Sequence, residues 1–256
     1  MVLPTEEIDA MGHIDFATRA VAGDLRSFER RVYSQNGEDG IIEEVLRRVG
    51  IKTRQFVEFG AETGLECNCA RLALEEGWKG LFIEGDTAKF DGLCRRYAGL
   101  ARIRCMRARV QSDNIEEILS GSDIPPEFDL LSIDIDGNDY WVWVAIEHWH
   151  PRIVVIEYNA SFPPPRLWVM VENHDHSWDG TNYYGASLAS LARLGRKKGY
   201  SLVATDSRGV NAFFIKDDLM VEGRFLDPAA HFHYSPPRYG AGPCGHPDGA
   251  GPFLEI

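Results

Sequence analysis

The segment RQFVEFGAETGLECNCARLALEEGWKGLFIEGD, residues 54–86, decides the fold. Its first apolar run, RQFVEFG, has the length of a buried strand and ends in a glycine turn. A helix is predicted at CNCARLALEEGW, and KGLFIEGD is a second short apolar run that ends in acids. Two strands joined by a helix form a βαβ unit, so the segment predicts two parallel strands of one sheet.

The same alternation continues towards the C-terminus. Further strands are predicted at RIRCMRARV, FDLLSIDIDG and RIVVIEYN, separated by helices at KFDGLCRRYAG, SDNIEEILSG and DYWVWVAIEHW. After one more helix, SLVATD and NAFFIK flank the turn SRG and predict an antiparallel hairpin. The sequence therefore predicts an α/β, Rossmann-like fold, with a mostly parallel seven-stranded sheet, an antiparallel edge hairpin and helices on both faces.

The pattern divides the chain into three parts. Residues 1–32 are a polar N-terminal extension, residues 33–220 form the α/β domain, and residues 221–256 are a tail rich in Gly, Pro and His. Within the domain, residues 160–184 form a long insertion rich in Pro, Trp, His and Asn. Loops of this length in compact domains are often lids or substrate loops, so we expect the insertion to border a ligand site.

Composition limits the partners of the chain. The net charge of −12 argues against nucleic-acid binding, which depends on Lys and Arg neutralising phosphates. No apolar run approaches the roughly 20 residues of a membrane span. The acidic N-terminus lacks the features of a signal peptide, and the five scattered cysteines are typical of reduced thiols, so we expect a cytoplasmic protein. A homodimer is the expected assembly, because dimers are the commonest oligomers.

The turn VEFGAETG follows the first strand of the alternating region. Glu58, Gly60 and Gly64 give the pattern acid-x-Gly-x-x-x-Gly, which differs from the Gly-x-Gly-x-x-Gly of dinucleotide sites. Glycines let the backbone approach a ligand closely, while acids disfavour a pyrophosphate at this position. The turn therefore suits a ligand that carries an amino group or a sulfonium cation, although a plain strand–turn–helix connection has the same pattern.

An acid ends the second strand. Glu84 lies 24 residues after Gly60, where a carboxylate can accept hydrogen bonds from both hydroxyls of a ribose. Arg109 and Val110, after the third strand, are expected beside an adenine ring, although Val110 could equally be an ordinary core residue. Taken together with the glycine turn, these residues favour an adenosine-containing ligand.

Acids also crowd the ends of the fourth and fifth strands. Asp134 and Asp136 share one strand face, and so do Glu157 and Asn159, so adjacent parallel strands would bring them together. A calcium loop is excluded because its closing glutamate would fall at Ala145. Oxygen ligands with room for water suit Mg²⁺ or Mn²⁺, which predicts a metal site at Asp136, Glu157 and Asn159.

The acidic residues also allow other interpretations. Asp134 could hold the amino group of a cofactor, and Asp136 could cap the following helix. Metal coordination lowers the pKa of an acceptor hydroxyl, so Asp134 and Asp136 are candidate catalytic residues. His174 and His176, in the insertion, are candidates to take the proton, although either could be an ordinary exposed loop residue.

Six blocks of the sequence, in order, carry a family resemblance. They are YSQNGEDG, VEFGAETG, GWKGLFIEGD, LLSIDIDGNDYWVW, VVIEYN and GASL…KGYSLVATDSRGVNAFFI. Over about residues 33–216 the chain resembles S-adenosylmethionine-dependent methyltransferases of the FkbM-like kind, which have the class I methyltransferase fold. The resemblance implies S-adenosylmethionine as the cofactor, with Glu58, Gly60 and Gly64 in its turn and Glu84 on its ribose.

The same resemblance adds two further residues and a reaction. Ser34 and Gln35 match the element that closes over the methionine end of the cofactor, although SQNGED would also suit a capped turn before a helix. Related magnesium-dependent enzymes methylate sugars and hold the metal with acids at these two strand ends. Where they would have an acid, this chain has Asn159.

The sequence thus predicts an S-adenosylmethionine-dependent O-methyltransferase, assisted by Mg²⁺ or Mn²⁺. The predicted acceptor is a saccharide, for example one of the mannose or rhamnose type, or a glycosylated small molecule. The alternative is a metal-dependent glycosyltransferase that binds a nucleotide sugar through Asp134 and Asp136, because these two residues also form an Asp-x-Asp pattern.

Overall fold

A computed structural model describes residues 23–240 and 245–256 of the chain. Most of the predicted N-terminal extension, residues 1–22, and residues 241–244 of the tail lie outside the described residues. Among the described residues, no helix combines the length and the apolar character needed to cross a bilayer.

A seven-stranded sheet forms the centre of the domain. Its strands, in chain order, are β1 (Gln55–Phe59), β2 (Lys79–Glu84), β3 (Ile103–Arg107), β4 (Leu130–Ile133), β5 (Ile153–Glu157), β7 (Tyr200–Thr205) and β8 (Asn211–Lys216), and a separate two-stranded sheet contains β6 (Val169–Met170) and β9 (Phe253–Leu254). The spatial order is β3-β2-β1-β4-β5-β8-β7. Neighbours from β3 to β5 pair in parallel, and β8 is antiparallel to both β5 and β7.

This arrangement confirms the fold class predicted from the sequence. The five βαβ-type strands are parallel, and the hairpin of β7 and β8 completes the sheet at one edge. The hairpin is inserted so that the later strand, β8, lies inside the sheet and β7 forms its border. Five of the six residues of β8 are buried, as expected for a strand with neighbours on both sides.

Helices cover both faces of the sheet. They are α1 (Glu38–Val49), α2 (Ala70–Leu74), α3 (Thr87–Tyr97), α4 (Ile115–Ser120), α5 (Asp139–Ala145), α6 (Leu188–Lys198) and α7 (Ala230–His233), with short 3₁₀ turns at Leu25–Phe28 and Asp217–Leu219. Apolar side chains of α1, α2 and α3 pack on one face of the sheet, and those of α4, α5 and α6 pack on the other. The parallel strands are buried on both faces, which explains their nearly continuous apolar runs.

The insertion and the tail pack against each other. Strand β6 of the insertion pairs antiparallel with β9 at the end of the tail. Residues of both segments also lie at the edge of the sheet where the parallel strands have their carboxyl ends.

Candidate functional site

A cavity of about 850 Å³ lies at the carboxyl ends of β1, β2, β4 and β5. The chain reverses its direction of travel across the sheet between β1 and β4, and open α/β sheets bind ligands at such a switch point. The volume is towards the upper end of the roughly 300–1,000 Å³ typical of small-molecule sites. Nine of the residues predicted from the sequence line the cavity: Gln35, Gly60, Glu84, Arg109, Val110, Asp134, Asp136, Glu157 and His176.

The glycine turn after β1 lies directly against β4. Gly60 has a φ of +70°, and a Cβ atom there would lie 1.6 Å from the backbone oxygen of Asp134. Any residue with a side chain would collide with this oxygen, so a glycine at position 60 is what allows the ends of β1 and β4 to approach. Gly64, also at positive φ, instead packs against Tyr97, and its predicted place in the cavity lining is not observed.

Glu58 lies beneath the turn. Its two carboxylate oxygens accept hydrogen bonds from the backbone N–H groups of Asn68 (2.8 Å) and Cys69 (2.9 Å). It is 4% exposed, and burial raises the pKa of this carboxyl to about 7. The structure therefore places Glu58 in the frame that shapes the turn and outside the cavity lining.

Glu84 borders the cavity with a fixed carboxylate. Its oxygens accept hydrogen bonds from the backbone N–H groups of Glu62 (2.7 Å) and Asp86 (2.6 Å). Each carboxylate oxygen can accept more than one hydrogen bond, so Glu84 keeps acceptor capacity for a ligand.

The loop after β3 forms the adjoining wall and holds the insertion. The Arg109 guanidinium donates a hydrogen bond to the backbone oxygen of His176, and the Gln111 amide donates to that of His174 (2.9 Å). Val110 is 6% exposed and belongs both to the core and to the cavity wall.

Three carboxylates meet at the ends of β4 and β5. Asp134, Asp136 and Glu157 each offer an oxygen, and the three oxygens lie within 4.8 Å of one another. Burial, together with the neighbouring negative charges, raises the pKa of Asp134 and of Glu157 well above their usual ranges. Asp136 is more accessible to water, but its place inside the cavity also raises its pKa.

Two features suggest that this cluster is built for a ligand. Oε2 of Glu157 is buried and has no hydrogen-bond partner among the described residues. Asp136 has a φ of +55°, in the left-handed region that is uncommon for residues other than glycine, asparagine and aspartate and that is often found at functional sites.

Asp139 stabilises the turn that carries the cluster. Its carboxylate accepts hydrogen bonds from the backbone N–H groups of Ile135 (2.8 Å) and Gly137 (2.9 Å), and burial raises its pKa to about 6. Asp139 is the first residue of α5 and is fully buried. The third acid of this stretch therefore holds the turn and points away from the cavity.

Asn159 does not join the metal candidates. Its side-chain N–H group donates hydrogen bonds to the backbone oxygens of Asn182 and Tyr184, both at 2.8 Å, and its oxygen accepts one from Ser161. The amide is fully buried and holds the end of the insertion. The structure brings Asp134 to the position beside Asp136 and Glu157 where the sequence predicts Asn159.

The two histidines of the insertion point in different directions. His176 lines the cavity, packs against Gly137, and has a buried Nε2 atom without a hydrogen-bond partner. His174 lies outside the lining, with Nε2 3.2 Å from Glu172 and Nδ1 3.5 Å from Asp113. Of these two histidines, His176 is the one that borders the cavity.

The SQNGED element contributes one of its two predicted residues. The Ser34 hydroxyl donates a hydrogen bond to Asp39 (2.7 Å) and accepts one from the backbone N–H of Asp39 (3.0 Å), so it holds the turn before α1. Gln35 and its neighbour Asn36 line the cavity. The capped turn and the cavity wall are thus formed by the same element.

Residues of the tail also line the cavity, and the sequence analysis did not identify them. Tyr239, Gly240 and His246 line it, and the His246 ring lies beside Trp178 and Tyr184 of the insertion. The tail has no apolar periodicity that would place it on the domain. Its only signal was a high content of histidine and aromatic residues.

Comparison with known proteins gives similar folds at low sequence identity. No protein-family model matches the chain, and no curated protein matches it. Among solved structures, the O-methyltransferase TomG from Streptomyces achromogenes, solved in complex with SAM, is 17% identical with a TM-score of 0.42, over 82% of this chain and 94% of that one. The N-terminal domain of EvdMO1 with SAH bound is 13% identical, with a TM-score of 0.46 over 71% of this chain and 81% of that domain.

A SAM-dependent methyltransferase from Aquifex aeolicus is 12% identical, with a TM-score of 0.41 over 68% of this chain and 88% of that one. Because these sequence identities and TM-scores are low, the fold assignment rests on the strand order and pairing of the sheet itself. Any proposal about function must rest on the chemistry of the cavity.

We predict that Glu58 makes stability depend on pH. Because its pKa of about 7 in the folded protein exceeds the ordinary value of 4.5, the folded state binds this proton more tightly than the unfolded state. The resulting stabilisation is present below pH 4.5 and is lost as the pH rises towards 7. Relative to Glu58→Gln, wild type should lose roughly 2–3 kcal/mol of unfolding free energy across this window.

Urea unfolding of both proteins at several pH values measures this difference. If the unfolding free energies of wild type and Glu58→Gln change equally between pH 4.5 and 7.5, the pKa of Glu58 is not raised in the folded protein.

Proposed function

We propose that the chain is an S-adenosylmethionine-dependent O-methyltransferase that acts, with the help of a divalent cation, on a hydroxyl group of a sugar. The observation that carries this proposal is the charge of the cavity. Among the described residues, seven carboxylates and two cationic side chains line it: Glu62, Glu66, Glu84, Asp86, Asp134, Asp136 and Glu157, with Lys89 and Arg109. Such a lining favours a cationic ligand and repels a diphosphate.

The shape of the cavity supports a nucleoside as part of the ligand. Gly60 lets the backbone come close, and Glu84 offers fixed carboxylate oxygens at the end of β2 for the two ribose hydroxyls. Val110 and Ile135 give the neighbouring wall an apolar surface that suits a base. The acids on the opposite side of the turn suit the ammonium and sulfonium groups of S-adenosylmethionine.

The residues present also fit a divalent cation. Asp134, Asp136 and Glu157 are hard oxygen ligands of the kind that Mg²⁺ and Mn²⁺ prefer, and the unpartnered oxygen of Glu157 is available for it. When bound, such an ion would lower the pKa of an acceptor hydroxyl and hold its oxygen.

The reaction requires alignment and one proton transfer. The hydroxyl oxygen forms a bond to the methyl carbon as the bond from carbon to sulfur breaks, which leaves a neutral thioether, and the hydroxyl proton must leave. The walls of the cavity align the two reactants. His176, with its free Nε2, is the proposed proton acceptor, and Asp134 and Asp136 are proposed to assist by binding the cation.

We predict that S-adenosylhomocysteine binds and stabilises the protein, whereas UDP-glucose and NAD⁺ do not. Replacing Glu84 by Gln removes a charge-assisted hydrogen bond to the ribose and should weaken S-adenosylhomocysteine binding about 10- to 100-fold. Calorimetric titration of wild type and Glu84→Gln measures both effects. Glu117→Gln, an exposed residue of α4 outside the cavity lining, is the matched control and should bind like wild type.

Stabilisation by UDP-glucose without any effect of S-adenosylhomocysteine would overturn the proposed methyltransferase function and favour the glycosyltransferase.

We also predict that the carboxylate cluster binds Mn²⁺. Glu157→Ala removes one of three ligands and should weaken Mn²⁺ binding by at least about tenfold, because each charged ligand contributes strongly to a hard-cation site. Electron paramagnetic resonance of free Mn²⁺ reports the affinity directly. Asp113→Ala, which removes an exposed carboxylate outside the cavity, should leave it unchanged. Equal Mn²⁺ affinities for wild type and Glu157→Ala would show that the cation does not bind at this cluster.

A further inference from the structure

The tail contributes to the cavity although it lies outside the segment that carries the family resemblance. Tyr239, Gly240 and His246 line the cavity together with the strand-end residues. None of them is needed to hold a nucleoside on Gly60 and Glu84, which lie at the strand ends. Their position is beside Asp136 and Glu157, where the acceptor must meet the cofactor.

The tail is attached to the insertion by hydrogen bonds centred on Asn182. The backbone N–H of Asn182 donates to the oxygen of Pro247 (2.9 Å), and its side-chain N–H donates to the Asp248 carboxylate (2.9 Å). Its side-chain oxygen accepts a hydrogen bond from the N–H of Gly249 (2.8 Å). These three bonds fix the residues that directly follow His246.

Further contacts continue this attachment towards the C-terminus. The Tyr183 hydroxyl donates a hydrogen bond to the oxygen of Pro252 (2.8 Å), and β9 pairs with β6. Gly251 lies against the Tyr183 ring so closely that a Cβ atom would be 2.1 Å from it. Residues 247–254 of the tail therefore have a defined place against the insertion.

Four rings form what we call the aromatic corner, which consists of Trp178, Tyr184, Tyr239 and His246. The His246 ring lies 4.7 Å from Trp178 and 5.1 Å from Tyr239, measured between ring centroids. The hydroxyl groups of Tyr184 and Tyr239 are hydrogen-bonded at 2.8 Å, and the Trp178 indole donates to the backbone oxygen of Thr181. These bonds fix the orientation of the rings.

Polar atoms without partners lie next to the aromatic corner. The ring nitrogens of His246 have no hydrogen-bond partner in the described part of the chain, and neither do Nε2 of His176 and Oε2 of Glu157, which are buried. Burial lowers the pKa of His246. Rings beside free donors and acceptors suit a ligand with both an apolar face and several hydroxyl groups.

We propose that Tyr239, Gly240 and His246 of the tail form the acceptor half of the site, and that His246 and Trp178 are the platform against which the ring of a neutral saccharide lies. The inference rests on the proposed methyltransferase function and adds the residues that select the acceptor. The many carboxylates of the cavity disfavour phosphorylated or otherwise anionic acceptors. The acceptor would lie between the aromatic corner and the carboxylate cluster, with a hydroxyl towards Asp136 and Glu157.

Saturation-transfer difference NMR tests this proposal on the full chain with saturating S-adenosylhomocysteine and Mg²⁺. The probes are the methyl glycosides of mannose, rhamnose, glucose and fucose, with glucose 6-phosphate as an anion and choline as a cation. We expect at least one neutral glycoside to bind. His246→Ala and Trp178→Ala should each weaken it about tenfold, because they remove a stacking partner, while S-adenosylhomocysteine affinity stays unchanged.

Three further variants sharpen the test. His246→Phe keeps a ring at this position and should retain affinity within about threefold of wild type. Asn182→Ala removes the two side-chain hydrogen bonds that hold the residues after His246, without removing a ring, and should weaken glycoside binding in the same direction as His246→Ala. His231→Ala removes an exposed histidine of the tail outside the cavity lining and should have no effect.

The outcomes separate this inference from the proposed function. Equal glycoside binding by wild type and His246→Ala would overturn the inference, as would binding of choline or glucose 6-phosphate in place of every neutral glycoside. Binding of S-adenosylhomocysteine without binding of any probe would also overturn it, while leaving the methyltransferase function intact. Failure of S-adenosylhomocysteine itself to bind would instead contradict the proposed function.

Discussion

The site depends on the repulsion among three carboxylates that the fold forces together. Asp134, Asp136 and Glu157 lie within 4.8 Å of one another, and no Lys or Arg of the described residues forms an ion pair with them. Like charges at this separation in a partly buried site are costly unless protons or a cation offset them. The surrounding residues hold the three carboxylates in place. Asp139 fixes the turn after β4, Gly60 lets β1 approach β4, and the pairing of β4 with β5 fixes the spacing of the ends of these two strands.

The frame is assembled from segments that are distant in sequence. The loop after β3 holds the insertion through Arg109 and Gln111, while Asn138, next to the carboxylate cluster, is hydrogen-bonded to Asn173 of the insertion. The insertion in turn holds the tail through Asn182. These contacts join the sheet, the insertion and the described part of the tail around one cavity.

The parts of the site that follow from strand geometry were predictable from the sequence. Strand order and alternation place Glu84, Asp134, Asp136 and Glu157 at one edge of the sheet, and the structure has them there. Asn159 was predicted from the same strand alternation and His174 from its place in the insertion, but the Asn159 side chain bonds within the insertion and His174 lies beside Glu172 and Asp113. The position of His246 at the cavity depends on tertiary contacts of a tail without periodicity, which no local pattern encodes.

The central claim is that one cavity holds both an adenosine-containing cofactor and a divalent cation. The most direct measurement is a crystal structure of the protein grown with S-adenosylhomocysteine and Mn²⁺, with anomalous scattering recorded at the manganese edge. The account predicts an anomalous peak bonded to Asp134, Asp136 and Glu157, and a ribose whose hydroxyls are hydrogen-bonded to Glu84. A manganese ion elsewhere with this cluster empty, or a cofactor bound away from Gly60 and Glu84, would contradict it.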